Sequence, residues 1–373
     1  MKPPTRLAAL ACLLIGWASA GLPARAAAGL GAADAAPPIR HVFIIVLENQ
    51  PFEASFGPRS PAPYLARALP RQGALLTRYY GTGHYSLDNY ISIVSGQAPN
   101  PDTQQDCPVF REFVATGPAG AFGQLPGSGC VYPASVHTIA DQLEAHGLGW
   151  MAYMEDMGKD PEREAATCAH APIGAEDRTE RATPKDQYAA KHDPFVYFHS
   201  IIDDPARCNA HVVGLDRLAG DLAQAATTPN FAFITPNLCH DGHDARCADG
   251  QRGGLAGIDR FLKLWVPRIT GSPAFRKDGL LVITFDEGLT AEACCGEAGL
   301  PGGPAPGQFG PGGGRIGAVL LSPFIRGGTV SKRPYNHYSL LRSVEGYFGL
   351  PPLGFAAASE VRPFGADVFA PQR

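Results

Sequence analysis

Four short apolar runs, each closed by polar residues, constrain the fold of this chain more than any other feature. They span residues 41–47, 231–235, 280–285 and 316–322. A run that is apolar on both faces is typical of a strand buried inside a parallel sheet. The pattern therefore predicts four buried strands, each with polar residues at its carboxyl end.

Apolar residues at helical spacing lie between these runs. The predicted helices cover residues 136–146, 215–226, 258–269 and 337–348. Pro267 should bend or end the third of them, because proline lacks a backbone N–H and clashes with the preceding turn. Strands that alternate with helices predict an α/β layered fold, with a central, mostly parallel sheet flanked by helices.

The polar residues after the four strands are the first candidates for a site. They are Glu48 and Asn49, Pro236 and Asn237, Asp286 and Glu287, and Ser322 and Pro323. Ligands of open α/β sheets bind beyond the carboxyl ends of the strands, so we expect a site at that edge.

Three of these residues are carboxylates. Glu48, Asp286 and Glu287 would be costly after buried strands unless they are solvated, paired or bound to metal. If they converge, their repulsion raises at least one pKa, and a divalent cation relieves it. Oxygen ligands favour Mg²⁺, Ca²⁺ or Mn²⁺. The alternative for Glu48 is a solvated residue at a strand end.

A second candidate is the glycine-rich segment 81–96. A turn ends at Ser86, which opens a predicted helix running through Val94. A helix N-terminus suits a phosphate, and a serine hydroxyl becomes a nucleophile when a base or a metal activates it. The alternative is that Ser86 only caps the helix. Asn89 could bind a phosphate oxygen, and His84 could be a base or a turn residue.

Segment 236–244 holds two histidines, His240 and His243, beside two aspartates. They could bind a second metal, contact phosphate or protonate a leaving group, or the segment could be a solvated loop braced by a disulfide. His337, at the start of the last helix, is a further candidate.

The N-terminus predicts export. Two basic residues precede an apolar run at 7–17, and small-residue cleavage sites end at Ala20 and Ala26. This pattern is typical of a signal peptide, here 1–26, with an uncleaved anchor as the alternative. A flexible leader at 27–38 and one domain at 39–373 would follow. The destination is periplasmic or extracellular.

Cysteine usage agrees with an oxidising compartment, because eight cysteines remain once Cys12 leaves with the signal peptide. Proximity in sequence suggests the pairs Cys107–Cys130, Cys168–Cys208, Cys239–Cys247 and Cys294–Cys295. Residues 289–314 are rich in glycine and proline and predict a flexible loop beside the site. The net charge of −4, without a Lys/Arg run, gives no reason to expect a nucleic-acid partner.

Seven segments carry a resemblance to a known family. They are residues 41–57, 82–90, 153–156, 191–195, 236–244, 283–288 and 335–342. In this order they resemble the phosphoesterase family that contains bacterial phospholipases C and secreted acid phosphatases, within the alkaline-phosphatase-like superfamily. The compact length is closer to short secreted acid phosphatases, some of which act on phosphoinositides.

The resemblance implies an alkaline-phosphatase-like fold and a role for each matching residue. Glu48, Asn49, Asp286 and Glu287 match metal-binding positions, and Ser86 matches the nucleophile. Asn89, His240 and His337 match positions near the phosphate, with His243 close enough to His240 to leave that choice open. Gln50 and Pro51 stand where the family often has Arg-Ser.

The implied activity is hydrolysis of phosphate monoesters, of small molecules or lipid headgroups, by an exported metal-dependent phosphatase through a phosphoserine. His240 or His337 would protonate the leaving alcohol. Transient contact with a membrane surface is possible, and the oligomeric state is left open. The alternatives are a phosphodiesterase of the phospholipase C type and a phosphate-binding protein without turnover.

Overall fold

The computed structural model describes Met1, residues 37–300 and residues 302–369. The predicted signal peptide and nearly all of the predicted leader, with Ala20 and Ala26, lie outside the described residues. Within the described ranges, we find no helix with the length and apolar character needed to cross a bilayer.

The described residues are built around a central eight-stranded sheet, with two short strand pairs beside it. The strands are β1 His41–Leu47, β2 Ala74–Leu76, β3 Tyr79–Tyr80, β4 Val114–Ala115, β5 Gly127–Ser128, β6 Trp150–Met154, β7 Val212–Gly214, β8 Phe231–Thr235, β9 Gly279–Phe285, β10 Ala318–Leu321, β11 Thr329–Ser331 and β12 Tyr335–Asn336. The order in the large sheet is β11-β2-β10-β9-β1-β8-β6-β7. β9, β1, β8, β6 and β7 run parallel to one another.

Helices connect and flank these strands. The α-helices among the described residues are α1 Phe52–Phe56, α2 Leu69–Gln72, α3 Ser86–Ser95, α4 Ile139–Ala145, α5 His199–Ile202, α6 Pro205–His211, α7 Leu218–Asp221, α8 Gly254–Gly271, α9 Pro273–Asp278 and α10 His337–Phe348. The predicted α/β layered fold with a mostly parallel central sheet is confirmed.

Two helix predictions need correction. Residues 215–226 form only a 3₁₀ turn, Leu215–Arg217, and the four-residue α7, instead of one helix. Pro267 does not end α8, which continues to Gly271. The buried face of α8, with Leu262 and Ile269 on either side of the proline, packs in the core and outweighs the local cost of proline.

The fourth apolar run becomes β10, which is antiparallel to both β9 and β2. Its carboxyl end therefore lies at the opposite edge of the sheet, where the Ser322 hydroxyl donates to the carbonyl of Gly279, the first residue of β9, at 2.7 Å. The expectation that Ser322 and Pro323 face the site is wrong. An apolar pattern marks a buried strand but does not encode its direction.

The cysteines pair as predicted. Disulfides join Cys107 to Cys130, Cys168 to Cys208, Cys239 to Cys247, and Cys294 to Cys295. The third closes the segment after β8 that carries two of the candidate histidines. These four bonds fit a protein that folds in an oxidising compartment.

Candidate active site

Three neighbouring parallel strands end at the same edge of the sheet. Glu48 follows β1, Asp286 follows β9, and the segment holding Asp241 follows β8. Backbone hydrogen bonds join the three ends, because the Asp286 amide donates to the Leu47 carbonyl and the Glu48 amide to the Asp241 carbonyl, each at 2.8 Å. Three acidic side chains are thereby held close together, each fully buried.

Ser86 is the first residue of α3, with Tyr85 as the N-cap. The Ser86 hydroxyl is 2 % exposed and donates to Oε2 of Glu48 at 2.8 Å. The alternative that Ser86 is an N-cap is therefore wrong. One turn later on the same helix face, the Tyr90 hydroxyl donates to the other oxygen of Glu48 at 2.7 Å. The helix thus presents two hydroxyl donors to one buried carboxylate.

His192 and Asp241 complete this cluster. Asp241 is one of the two aspartates in segment 236–244, whose role was left open above, and His192 was not expected at the site. The two ring nitrogens of His192 lie 3.3 Å from Oε1 of Glu48 and 3.3 Å from Oδ2 of Asp241. The ring stacks on Tyr90 with centroids 5.3 Å apart. One donor atom each from Glu48, His192 and Asp241 lies within 4.8 Å of the others, close enough to share a metal ion.

Burial and mutual repulsion shift the pKa values in this cluster. Burial, with Asp286 and Asp241 nearby, raises the pKa of Glu48 well above its ordinary value. Burial, with Asp286 nearby, also raises the pKa of Asp241. Burial raises the pKa of Asp286 to about 6, although the hydrogen bond from the Asn49 amide opposes the rise. Burial, with Lys191 and His243 nearby, lowers the pKa of His192.

The cluster fits a divalent cation. Among the described residues, both ring nitrogens of His192, Oδ2 of Asp241 and Oδ2 of Asp286 are buried without a hydrogen-bond partner. Buried polar atoms without partners are costly, and clustered carboxylates more so. A cation would offset both costs.

Asn49 and Glu287, the other expected metal ligands, flank this cluster. The Asn49 backbone has a φ of 56° and donates its amide to Oδ1 of Asp286 at 2.9 Å. Its side-chain amide donates to Glu48 Oε2 at 3.1 Å. The Glu287 carboxylate is paired with the Nδ1 of His84. Asn49 therefore contacts two acids of the cluster, whereas the Glu287 carboxylate contacts His84.

Asn89 holds the loop that precedes Ser86. Its carbonyl oxygen accepts from the backbone amides of Thr82 at 2.7 Å and Gly83 at 3.0 Å. Its side-chain amide donates to the carbonyls of Gly83 at 3.0 Å and Tyr85 at 2.9 Å. Here the amide group binds the loop, whereas the resemblance placed it near the phosphate.

His337 and His84 have both ring nitrogens engaged. The Nε2 of His337 lies 2.6 Å from the Asp286 carbonyl oxygen and its Nδ1 lies 3.3 Å from the Tyr79 hydroxyl. Burial lowers the pKa of His337 to about 4, so the ring is neutral near neutral pH. The Nε2 of His84 lies 3.0 Å from the carbonyl oxygen of Thr290, while its Nδ1 faces Glu287.

His240 and His243 each place Nδ1, one of their two ring nitrogens, next to a carboxylate. The Nδ1 of His240 lies 3.0 Å from both oxygens of Glu155, the residue after β6. The Nδ1 of His243 lies 2.9 Å from Asp244, and its ring centroid is 6.2 Å from that of His192. A carboxylate at Nδ1 fixes the proton there and directs Nε2 elsewhere.

A buried lysine supports the start of α3. The Lys191 ammonium lies 2.9 Å from Oδ2 of Asp106, whose other oxygen accepts from the Leu87 amide at 3.0 Å. Burial opposes the charge on Lys191, but Asp106 and Glu180 hold its pKa above the ordinary value. The helix terminus that carries Ser86 is therefore tied to residue 191, beside His192.

Comparison with known proteins adds the family. The sequence model of the Phosphoesterase family matches residues 58–351. The chain is 28% identical to a phosphate-repressible acid phosphatase of Penicillium chrysogenum over 315 residues. This alignment covers 83% of the chain and 59% of the Penicillium protein. The chain is 25% identical to a phosphatidylinositol-3-phosphatase of Mycobacterium tuberculosis, covering 87% of the chain and 82% of that protein.

Other similarities are more distant. An acid phosphatase of Aspergillus fumigatus is 25% identical, and the chain spans little more than half the length of such fungal relatives. A solved structure from Vibrio parahaemolyticus is described as a protein in the alkaline phosphatase superfamily. Its superposition covers 84% of this chain and 67% of the Vibrio chain, with 13% sequence identity and a TM-score of 0.44. Because the family match spans most of the chain, the protein belongs to the Phosphoesterase family.

Proposed function

We propose that the protein is an exported, metal-dependent phosphatase that hydrolyses phosphate monoesters through a phosphoserine at Ser86. One observation carries the proposal. Ser86 is the first residue of α3, and its hydroxyl lies 2.8 Å from Oε2 of Glu48 inside a buried cluster of carboxylates. The names of the relatives support a monoester of a small molecule or a lipid headgroup as the substrate.

The nucleophile is held from two directions. Glu48 Oε2 accepts the hydrogen bond of the Ser86 hydroxyl and is the acceptor nearest to its proton. Asn89 holds the preceding loop against α3, which fixes where the hydroxyl points. The serine oxygen then attacks phosphorus in line, and the start of α3 faces the phosphate charge.

A single divalent cation would be held by Glu48, Asp286, Asp241 and His192, and Asn49 and Glu287 are the further ligands that the resemblance implies. When bound, it supplies a lowered pKa for the serine hydroxyl and neutralises the carboxylates. An imidazole among oxygen donors favours Mn²⁺ over Mg²⁺ or Ca²⁺ within the expected set.

His240 is the histidine that we assign to the leaving group. Glu155 holds the proton on Nδ1, and the second proton of the imidazolium, on Nε2, is the one that passes to the leaving alcohol oxygen. Water then attacks phosphorus and gives a proton to Nε2 of His240, the bond to the serine oxygen breaks, and Ser86 regains from Glu48 the proton that it gave up on attack. His337 was the other expected acid, but its contacts with Asp286 and Tyr79 suit a role in positioning Asp286.

Export is supported by the four disulfides, which suit the periplasm or the extracellular medium. A lipid-headgroup substrate would bring the carboxyl edge of the sheet to a membrane surface transiently. Small-molecule substrates require no such contact.

The test is phosphate release by the purified protein from p-nitrophenyl phosphate and from bis-p-nitrophenyl phosphate, with and without EDTA. We expect hydrolysis of the monoester that EDTA abolishes and added Mn²⁺ restores. Preference for the diester would overturn the monoesterase in favour of a phospholipase C type of activity. The absence of turnover with every metal tried would indicate a phosphate-binding protein.

A further inference from the structure

A cavity of about 520 Å³ lies against Tyr85, the residue immediately before Ser86. It is lined by Tyr85, Pro101, Gln104, Gln105, Pro304 and Gln308. Its volume falls in the range of small-molecule sites, which is ~300–1,000 Å³. Tyr85 and Ser86 are consecutive residues with Cα atoms ~3.8 Å apart, so the cavity adjoins the residue that carries the proposed nucleophile.

The walls of the cavity are fixed by side-chain hydrogen bonds between two loops. The Gln104 amide donates to the carbonyls of Ala305 at 2.7 Å and Pro306 at 2.8 Å. The Gln308 amide donates to the carbonyls of Gln104 at 2.8 Å and His84 at 3.3 Å. The second loop belongs to the segment 289–314, and these bonds join it to the residues around the nucleophile. The cavity is therefore formed before substrate arrives.

The chemistry of the lining differs from that of the phosphate site. Among the described residues it consists of one aromatic ring, two prolines and three amides, with no acidic or basic side chain. Tyr85 is 53% exposed, and its ring is available for stacking. A charged group placed there would lose hydration without gaining a counter-charge.

We propose that this cavity binds the organic part of the phosphoester and selects an uncharged alcohol that carries a ring. The inference rests on the proposed phosphatase activity at Ser86. Tyr85 and the prolines contact the faces of the ring, and the side-chain carbonyl oxygens of the glutamines accept hydrogen bonds from neutral donors on it.

Three phosphate monoesters separate the contributions of ring and charge. Benzyl, ethyl and 4-carboxybenzyl phosphate all release a primary alcohol, so the chemical step is similar and differences in kcat/KM report on the rest of the alcohol. We expect benzyl phosphate to exceed each of the others by about tenfold, since a buried ring or an unbalanced charge is each worth about 1.4 kcal/mol or more.

A charge variant then locates the effect in the cavity. Gln105 is exposed, and its amide donates to the Pro101 carbonyl at 2.9 Å, so Gln105→Lys should fold. We expect it to raise kcat/KM for 4-carboxybenzyl phosphate about tenfold relative to benzyl phosphate. The control is Gln224→Lys, at an exposed position in the segment leading into β8 at the opposite edge of the sheet, which should leave the ratio unchanged.

The outcomes distinguish this inference from the proposed function. Similar kcat/KM values for the three esters, or a Gln105→Lys ratio equal to that of Gln224→Lys, would overturn the subsite while leaving the phosphatase in place. Phosphate release from none of the esters would overturn the phosphatase and the subsite together.

Discussion

The two sides of Ser86 differ in how completely their polar groups are paired. On the loop side, Asn89 uses its carbonyl oxygen and its amide in four hydrogen bonds to backbone groups of residues 82–85. On the strand side, Asp241 and Asp286 each have a buried carboxylate oxygen without a hydrogen-bond partner among the described residues. The Asn89 side chain is fully paired in the protein alone, and the carboxylates of Asp241 and Asp286 are not.

This difference separates positioning from chemistry. A fully paired network is rigid and places the hydroxyl of Ser86 whether or not ligand is present. Clustered carboxylates cost folding stability, which proteins accept where the groups are needed for function. Substitutions on the two sides should therefore affect stability with opposite sign in the metal-free protein.

The largest expected effect is on turnover. Ser86→Ala removes the nucleophile, and we expect kcat to fall at least about 10³-fold, as for other covalent catalysts. The fold should remain, because the lost hydroxyl only donated to Glu48. The measurement is kcat with p-nitrophenyl phosphate, beside thermal unfolding.

Ser95→Ala is the matched control, at the other end of α3, where the hydroxyl donates to the Ile91 carbonyl at 2.7 Å. It should keep most of the activity. Turnover by Ser86→Ala close to that of Ser95→Ala would remove Ser86 from the mechanism.

Asp241→Asn tests the unpaired side. In metal-free protein it should raise the unfolding temperature, because a neutral amide ends the repulsion with Asp286. Added Mn²⁺ at about 100 times its Kd should stabilise the wild type by about 2.7 kcal/mol and the variant much less. Thermal unfolding with and without metal measures both effects.

The control for this test is Asp216→Asn, an exposed acid outside the cluster. It should respond to Mn²⁺ as the wild type does. Equal metal stabilisation of Asp241→Asn and Asp216→Asn would exclude Asp241 from the metal site.

Asn89→Ala tests the paired side. It leaves several buried backbone groups without partners, so we expect about 3 kcal/mol of destabilisation with or without metal. Denaturant unfolding gives the free energy, and exposed Asn209→Ala is the control. If Asn89→Ala proved as stable as its control, the loop side would not depend on this network.

Local patterns predicted those parts of the fold and site that depend on local sequence. Continuous apolar runs identified β1, β8 and β9, and helical spacing identified α10. The parallel arrangement then brought Glu48 and Asp286 to one edge, beside Ser86 at the start of α3. Cysteine proximity was sufficient for the pairing because each partner is near in sequence.

The other parts of the fold and site depend on contacts between segments that are distant in sequence, which no local pattern predicts. His192 belongs to the site because its ring stacks on Tyr90, which is distant along the chain. His337 looked free in sequence, yet the fold places Tyr79 and the carbonyl of Asp286 at its two nitrogens. The direction of β10 likewise follows from its pairing with β9 and β2, not from its composition.

The smallest expected effect concerns a buried acid outside the site. Glu345, in α10, accepts from the Leu353 amide at 2.7 Å, while its other oxygen is buried without a hydrogen-bond partner among the described residues. Burial raises its pKa from 4.5 to about 8. The unfolded chain therefore releases this proton first as the pH rises, so the residue costs stability progressively between those two pH values.

Glu345→Gln removes this cost while keeping the acceptor for Leu353. Relative to the variant, the wild type should lose about 2 kcal/mol of unfolding free energy as the pH rises through that window. Exposed Glu360→Gln should follow the wild type between pH 4.5 and about 8. Because no metal is expected at Glu345, its effect should be the same with and without Mn²⁺, whereas the effect of Asp241→Asn should change sign. A pH profile of Glu345→Gln parallel to that of the wild type would show that burial alone does not make an unpaired carboxyl costly here, and the same doubt would then extend to the carboxylates around Ser86.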